Sequence, residues 1–479
     1  LQGNTASNNN AFGYLALNVN TTGASNCAFG SHALENNTTA ANNSAFGHRS
    51  LDANTTGDSN SAFGMGTLGA NTTGGKNTAI GYKALTANTT ASSNTAVGYD
   101  ALATNTTGAY NTALGDRALA TQSTADNNTA VGYKALNANT ATGNTSIGFQ
   151  SMRLTTTGAS NTAVGHDALE ANTTGGYNVS VGYQSLEAST TGEHNTALGY
   201  QAGKDTTTGF YNVCVGSRAG ENITTGGYNV AIGMDALKAS TTLNYQVAIG
   251  YKALASSTAD GENTCIGYLA GEDVTGDRNT LVGYEAGKNI TSGRHNTALG
   301  RNSLTTLTGG SGNTALGNGT LATCSGAGNI AIGHDAGYDT TSGDDNVAIG
   351  YNAMKDGTLT GDMNVCVGAY SGRDMTSGFK NVCIGAETAL TLTTGHYTSA
   401  IGHRALHQVT TGNSNSAIGD HSGFDLTTGD NNTMLGSSAG RSSSPSGSVT
   451  TADNIVCIGN NNVSDLYCAD TSISSSDER

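Results

Sequence analysis

Residues 77–85 read NTAIGYKAL and residues 94–102 read NTAVGYDAL; NTALGDRAL follows from 111 and NTAVGYKAL from 128. The glycine of this nonapeptide serves as a ruler. It stands at Gly13, Gly30, Gly47, Gly64, Gly81, Gly98, Gly115 and Gly132 and runs on to Gly436 and Gly459, 27 copies in all. Of the 26 spacings, 21 are 17 residues, three are 16, one is 18 and one is 23. A fixed period of this length marks a repeat architecture, in which each unit buries its apolar face only against its neighbours. No break in composition or spacing divides the array. The chain therefore reads as one continuous solenoid over residues 1–463, followed by a tail at 464–479.

Each position of the repeat has a reading. The residue before the glycine is Phe, Ile, Val or Leu in every copy, as at Ile80, Val97 and Leu114. Two before it, 25 of 27 copies carry Ala, Ser or Cys; Leu281 and Met434 depart. Successive strand side chains point to opposite faces, so the large and the small residue face opposite ways. Both faces of the strand are then apolar. A slim solenoid has only one interior, so the second face calls for another chain.

Four before the glycine stands Asn in 24 of 27 copies, including Asn77, Asn94 and Asn111. Stacked once per coil, these amides are expected to form a ladder at a corner, each side chain bonding the next. The glycines themselves, Gly81, Gly98 and Gly115 among them, are expected to supply a positive φ or to let two backbones approach. Tyr follows the glycine in ten copies. A second short strand is expected there, with Ala, Ser or Thr third and usually Leu fourth, and then a polar turn built on Thr-Thr-Gly. Helix is excluded, because Gly and β-branched residues recur too often for a 3.6 period.

Two short strands and two turns in 17 residues describe one coil of an all-β, parallel β-solenoid. At about 4.8 Å per coil, 27 coils make a rod on the order of 130 Å long. The longest spacing contains SSSPSGS at 442–448, with the only proline, and reads as a surface loop over about 441–453.

Composition narrows the function. The chain has 68 Gly, one Pro and no Trp, and only 11% of it is charged, with a net charge of −15. Chains this polar are often disordered, but disorder would not require the register kept here. An acidic array without a basic stripe is a poor partner for nucleic acid. No stretch approaches the roughly 20 apolar residues that insert into a membrane.

Chemistry is sparse. Cys214, Cys265, Cys366, Cys383 and Cys457 occupy the small slot as compact buried residues. His48, His166, His334 and His403 take the slot after the glycine and read as a stacked surface row, with no His-x-His pair to gather a metal. Acidic turns such as Asp344-Asp345 lack the spaced carboxylates of a calcium loop. Catalysis needs unlike groups converging in a pocket, whereas this array offers like groups in rows. No enzyme, cofactor or metal site is expected.

The nonapeptide resembles the head repeats of trimeric autotransporter adhesins. It is more similar still to the NTAxGxxAL arrays of phage and algal-virus fibres and tail-fibre-like proteins, over about residues 9–463. That resemblance implies a homotrimer of left-handed parallel β-rolls, with the aliphatic before each glycine turned towards the threefold axis. The repeat is longer than that of the autotransporter heads. Residues 474–479, SSSDER, resemble the start of the intramolecular chaperone domain that follows many viral spikes and fibres. The resemblance implies self-cleavage between Ser476 and Asp477 and a gene that continues past Arg479.

The expected function is the shaft of a virion fibre or spike on the particle surface. Its partners are then its own copies and a cell-surface glycan or protein receptor, for host attachment. The alternative is a bacterial surface adhesin or self-assembling extracellular filament. A glycan-degrading or ice-binding solenoid stands third, because like groups stand in rows and the Thr-Thr turns that would form a flat ice-binding face vary from copy to copy.

Overall fold

The computed structural model describes residues 5–258, 261–444 and 446–464. It contains no helix among them, and so none long and apolar enough to cross a membrane. The chain forms two compact units, Leu1–Glu262 and Asn263–Arg479. Each is a parallel β-solenoid. The first carries fifteen three-residue strands, from β1 (Asn10–Phe12) to β15 (Val247–Ile249). The second carries twelve, from β16 (Thr264–Ile266) to β27 (Val456–Ile458). One strand falls on each nonapeptide, and neighbouring copies pair in parallel and in register. Between β5 (Thr78–Ile80) and β6 (Thr95–Val97), for example, Thr78 faces Thr95, Ala79 faces Ala96 and Ile80 faces Val97.

The second strand expected in each coil does not form. After Gly81 the chain turns, and Lys83 and Leu85 sit at φ +52° and +54°. Alternate left-handed residues cannot propagate a strand. The hydrogen bonding between coils continues nonetheless, with Lys83 N donating to Met65 O and Leu85 N to Ala101 O. Among the described residues at positive φ there is no Val, Ile or Thr. Two substituents on Cβ crowd the left-handed backbone, whereas Leu branches one carbon later and fits. This explains why leucine, and not isoleucine or valine, occupies the left-handed turn position.

The interior is narrow and built from stacked rows, one residue per coil in each. The small strand residue (Ala79, Ala96, Ala113) and the turn leucine (Leu85, Leu102, Leu119) are fully buried. Beside them runs a row of amides. Asn77 Nδ2 donates to Ala91 O at 2.9 Å, and its Oδ1 accepts the backbone N–H of Asn94 at 2.9 Å. Asn94 and Asn111 repeat both bonds on Gly108 and Ala125 and on the next coil. In the first unit this row therefore bonds chiefly side chain to backbone. The oxygen of each amide caps the N–H of the next coil, where the expected ladder ran from amide to amide. In the second unit several such asparagines also reach the preceding amide, as Asn381 does to Asn364 at 3.0 Å.

An amide-to-amide ladder does exist, one corner further on. Asn37 Nδ2 donates to Asn20 Oδ1 at 2.7 Å, Asn54 to Asn37 at 3.0 Å, Asn71 to Asn54 at 2.8 Å and Asn88 to Asn71 at 2.7 Å. These are the asparagines that open the Asn-Thr-Thr turns, and they are completely buried. Each also donates to the carbonyl three residues on, as Asn88 does to Ala91. Buried amides are tolerated because both of their N–H groups are used. In the second unit the same row becomes apolar, with Ile290, Leu307, Leu392 and Leu426 buried there.

The long spacing before Gly459 is a loop. Val449 N donates to Gly440 O at 2.8 Å, closing the excursion, and Val449 is buried like Leu426 in the preceding coil. The strands β26 (Thr433–Leu435) and β27 still pair in register, Leu435 facing Ile458. Pro445 lies outside the described residues.

If one 17-residue repeat is one coil, deletion of residues 82–98 should leave a folded first unit shortened by about 4.8 Å. Deletion of residues 82–90 should instead unfold the coils around it, because the residues left between Gly81 and Gly98 cannot complete a circuit. Far-ultraviolet circular dichroism and its melting curve distinguish the two. Equal tolerance of both deletions would overturn the coil assignment.

Candidate functional site

The residues expected to carry structure fall into separate rows. Gly81, Gly98 and Gly115 sit at φ +125°, +139° and +138°, at the point where each strand leaves the sheet. A Cβ on Gly81 would lie 2.5 Å from the carbonyl oxygen of Gly98, so both a positive φ and a close backbone approach exclude side chains here. Asn77, Asn94 and Asn111 are in the interior. Ile80, Val97 and Leu114 point outward; Ile80 is 42% and Leu114 46% exposed, and Val97 is half-buried. Ser476 and Asp477 lie outside the described residues.

The outward row is the largest unpartnered feature of each unit. In the first unit it begins with Phe12, Phe29, Phe46 and Phe63, stacked at centroid distances of 4.7, 6.2 and 4.8 Å. In the second unit the corresponding row includes Leu299, Ile332, Ile384 and Ile418, all more than a third exposed. The first residue of each strand shares this face. It is Thr in much of the first unit, and Val or Ile in strands such as Ile330–Ile332 and Val382–Ile384. Single exposed apolar residues are ordinary, but a row repeated coil after coil is the kind of patch that marks an interface.

Aromatic ladders run beside it. Tyr133, Phe149, His166, Tyr183 and Tyr200 stack at 5.2, 4.9, 5.2 and 5.6 Å. A second ladder, Tyr177, His194, Tyr211, Tyr228 and Tyr245, stacks at 4.7–5.2 Å with planes within 8° of parallel. Rings stacked along the array present faces to each other and edges to solvent. They therefore stabilise register, and offer no ring face along the row for a sugar to lie on.

A shallow groove of about 510 Å³ crosses four coils of the second unit. Thr394, Thr411 and Thr428 form one wall, and His396, Asn413 and Asp430 the other. Gly395, Gly412 and Gly429, between the walls in sequence, are buried and face the interior. Beside the ring of Phe379, the groove lining is hydroxyl, amide, imidazole and carboxylate, a set suited to hydrogen-bonding a polyhydroxylated ligand.

The remaining polar groups are largely satisfied within the array. Asp344 Oδ1 accepts the N–H of Ala327 at 2.7 Å, and Asp362 Oδ1 that of Asp344 at 2.9 Å, so these turn carboxylates cap the neighbouring coil. Arg153 pairs with Glu170 one coil on at 2.7 Å. The hydrogen bond from Arg404, at 2.6 Å, holds the Glu387 carboxyl below its usual range. Burial pushes the thiol of Cys214 up to about 12 and raises those of Cys265 and Cys366 as well. Cys366 and Cys383 face each other across paired strands as free thiols. A thiol held protonated is a poor nucleophile and a poor metal ligand.

Of the histidines after the glycine, His166 is a rung of the first aromatic ladder and His334 stacks on Tyr351 at 5.4 Å. His48 meets His32 edge-on. His403 is different, because Asp420 and His421 of the next coil converge on it. The rows of the sequence did not point to that grouping, since His421 lies one place off the repeated slot. No known protein-family model matches the chain, and no curated protein matches it.

Proposed function

We propose that the chain is the structural shaft of a homotrimeric fibre on a virion surface, contributing to host-cell attachment. The observation that carries this reading is the outward apolar row, present in both units and left exposed or half-buried among the described residues. Three such rows turned towards a common axis would remove them from water, at roughly 25 cal/mol for each Å² of apolar surface covered. The resemblance of the NTAxGxxAL array to viral fibres supports the virion setting and the threefold symmetry. The polar groove of the second unit offers a surface for a cell-surface glycan or protein receptor.

The test is the state of association. Ile249→Asp, in the first unit, and Ile349→Asp, in the second, should each shift the sedimenting species from trimer towards monomer. A substitution of an exposed turn residue, Thr73→Asp, should leave it unchanged. A wild-type chain that sediments as a stable monomer would overturn the reading. Gold-labelled antibody on particles of the source then separates a virion fibre from a cell-surface adhesin or filament.

A further inference from the structure

The cluster after β24 (Ser399–Ile401) and β25 (Ser416–Ile418) has the composition of a transition-metal site. His403 Nδ1 lies 3.0 Å from Asp420 Oδ1, and His421 Nδ1 lies 2.9 Å from Asp420 Oδ2. The three donor groups come within 4.8 Å of one another. We propose that His403, Asp420 and His421 bind one divalent ion of the zinc, cobalt or nickel class, and so clamp two adjacent coils of the second unit.

Two imidazoles and one carboxylate suit this class of ion; oxygen-seeking calcium or magnesium would not choose them. The two His–Asp separations, near 3 Å, are close to the edge of a coordination polyhedron with bonds of about 2.0–2.2 Å. Side-chain rotation has to bring the two imidazoles, whose donors lie within 4.8 Å, onto the same ion. In the bound state each imidazole presents its Nδ1 lone pair to the ion and carries its proton on Nε2.

The backbone beneath is firm. His421 N donates to His403 O at 2.9 Å, and Ser438 N to Asp420 O at 2.8 Å. The competing cation is engaged elsewhere, since Arg404 is paired with Glu387. In the slot after the glycine the neighbouring coils carry Ala386 and Ser437, small residues that leave the position open for water or a fourth ligand. The other acidic grouping, Asp167, Glu170 and Glu187, is a cluster of carboxylates with Arg153 and Lys204 already beside it, and serves as the internal control.

Tag-free full-length protein should take up one equivalent of Co²⁺ per chain, read by its visible absorption band, and Zn²⁺ should displace it. His403→Ala and His421→Gln should each weaken binding at least about ten-fold. Glu170→Gln should change nothing. Circular dichroism of the variants establishes that each retains the wild-type fold. Wild-type protein without stoichiometric uptake would overturn the proposal. So would a doubly substituted His403→Ala, His421→Gln chain that binds as tightly as wild type, because another histidine would then be responsible.

Discussion

Gly98→Ala should destabilise the first unit by about 3 kcal/mol or more, although it adds a single methyl group. Two costs combine. At φ +139° an L side chain is strained by about 1–3 kcal/mol. The new Cβ would also lie 2.4 Å from the carbonyl oxygen of Gly115 and 2.6 Å from its carbon, which is backbone and cannot rotate away. Relief would require separating two coils that are bonded on both sides, since Gly98 N donates to Ile80 O and Gly115 N to Val97 O, each at 2.8 Å. Overpacking of that kind adds about 1–3 kcal/mol.

Gly66→Lys is the matched control. Gly66 also has a positive φ, +70°, but a Cβ there meets nothing nearer than Lys83 Cγ at 3.7 Å. The next coil already places Lys83 in the same slot at φ +52°. That variant should melt within about 0.5 kcal/mol of wild type, the usual range for a surface change. Chemical denaturation followed by circular dichroism compares the two, and equal midpoints would refute the backbone-approach argument.

Leu281→Ala should cost the second unit about 2–5 kcal/mol, and Gly287→Leu in the same chain should restore more than half of it. Leu281 fills the slot that alanine takes in most coils, and it is fully buried. Room for it comes from Gly287, where most coils carry the turn leucine. A Cβ on Gly287 would lie 2.6 Å from both Cδ atoms of Leu281. The exchange recurs. Cys214 stands against Gly220, Cys265 against Gly271, Cys366 against Gly372 and Met434 against Gly440, with a new Cβ 2.5–2.6 Å from the sulfur in each case. The occupant nine residues on grows too, as Ile223 and Ile290 do.

Gly287→Leu alone should therefore destabilise by collision, and the pair should couple strongly in a double-mutant cycle. The combination it creates is already used in the next coil, where Ala298, Leu304 and Leu307 are buried together. The left-handed backbone of Gly287, at φ +58°, admits leucine as it does at Leu85. Independent, additive effects of the two substitutions would overturn the exchange.

That exchange was present in the sequence and went unread. Leu281 and Met434 stand out as departures in one column, but their compensation lies six residues away, and only a shared interior makes those two columns neighbours. The inner amide ladder was missed for a similar reason. Asn71 and Asn88 belong to Asn-Thr-Thr-Gly, which reads as a solvent-facing turn because each of its residues favours turns. Stacking buries the asparagine and leaves Thr73 and Thr90 exposed, a division that no propensity distinguishes. The expected second strand fails on the same ground, because Tyr-Lys-Ala-Leu has the alternation of a strand while its backbone alternates in handedness.

By itself, the sequence determined the period, the strand at each nonapeptide, that Ala79 and Ile80 face opposite ways, and the need for glycine at Gly81. These follow from local rules: side-chain alternation along a strand, and the excluded volume of a Cβ. Tertiary structure alone decided which polar residues are interior, how each amide divides its bonds between side chain and backbone, and that His403, Asp420 and His421 meet. Those depend on which atoms lie one coil away. Leucine accepts φ +54° only because every coil above and below imposes the same hydrogen bonds on it.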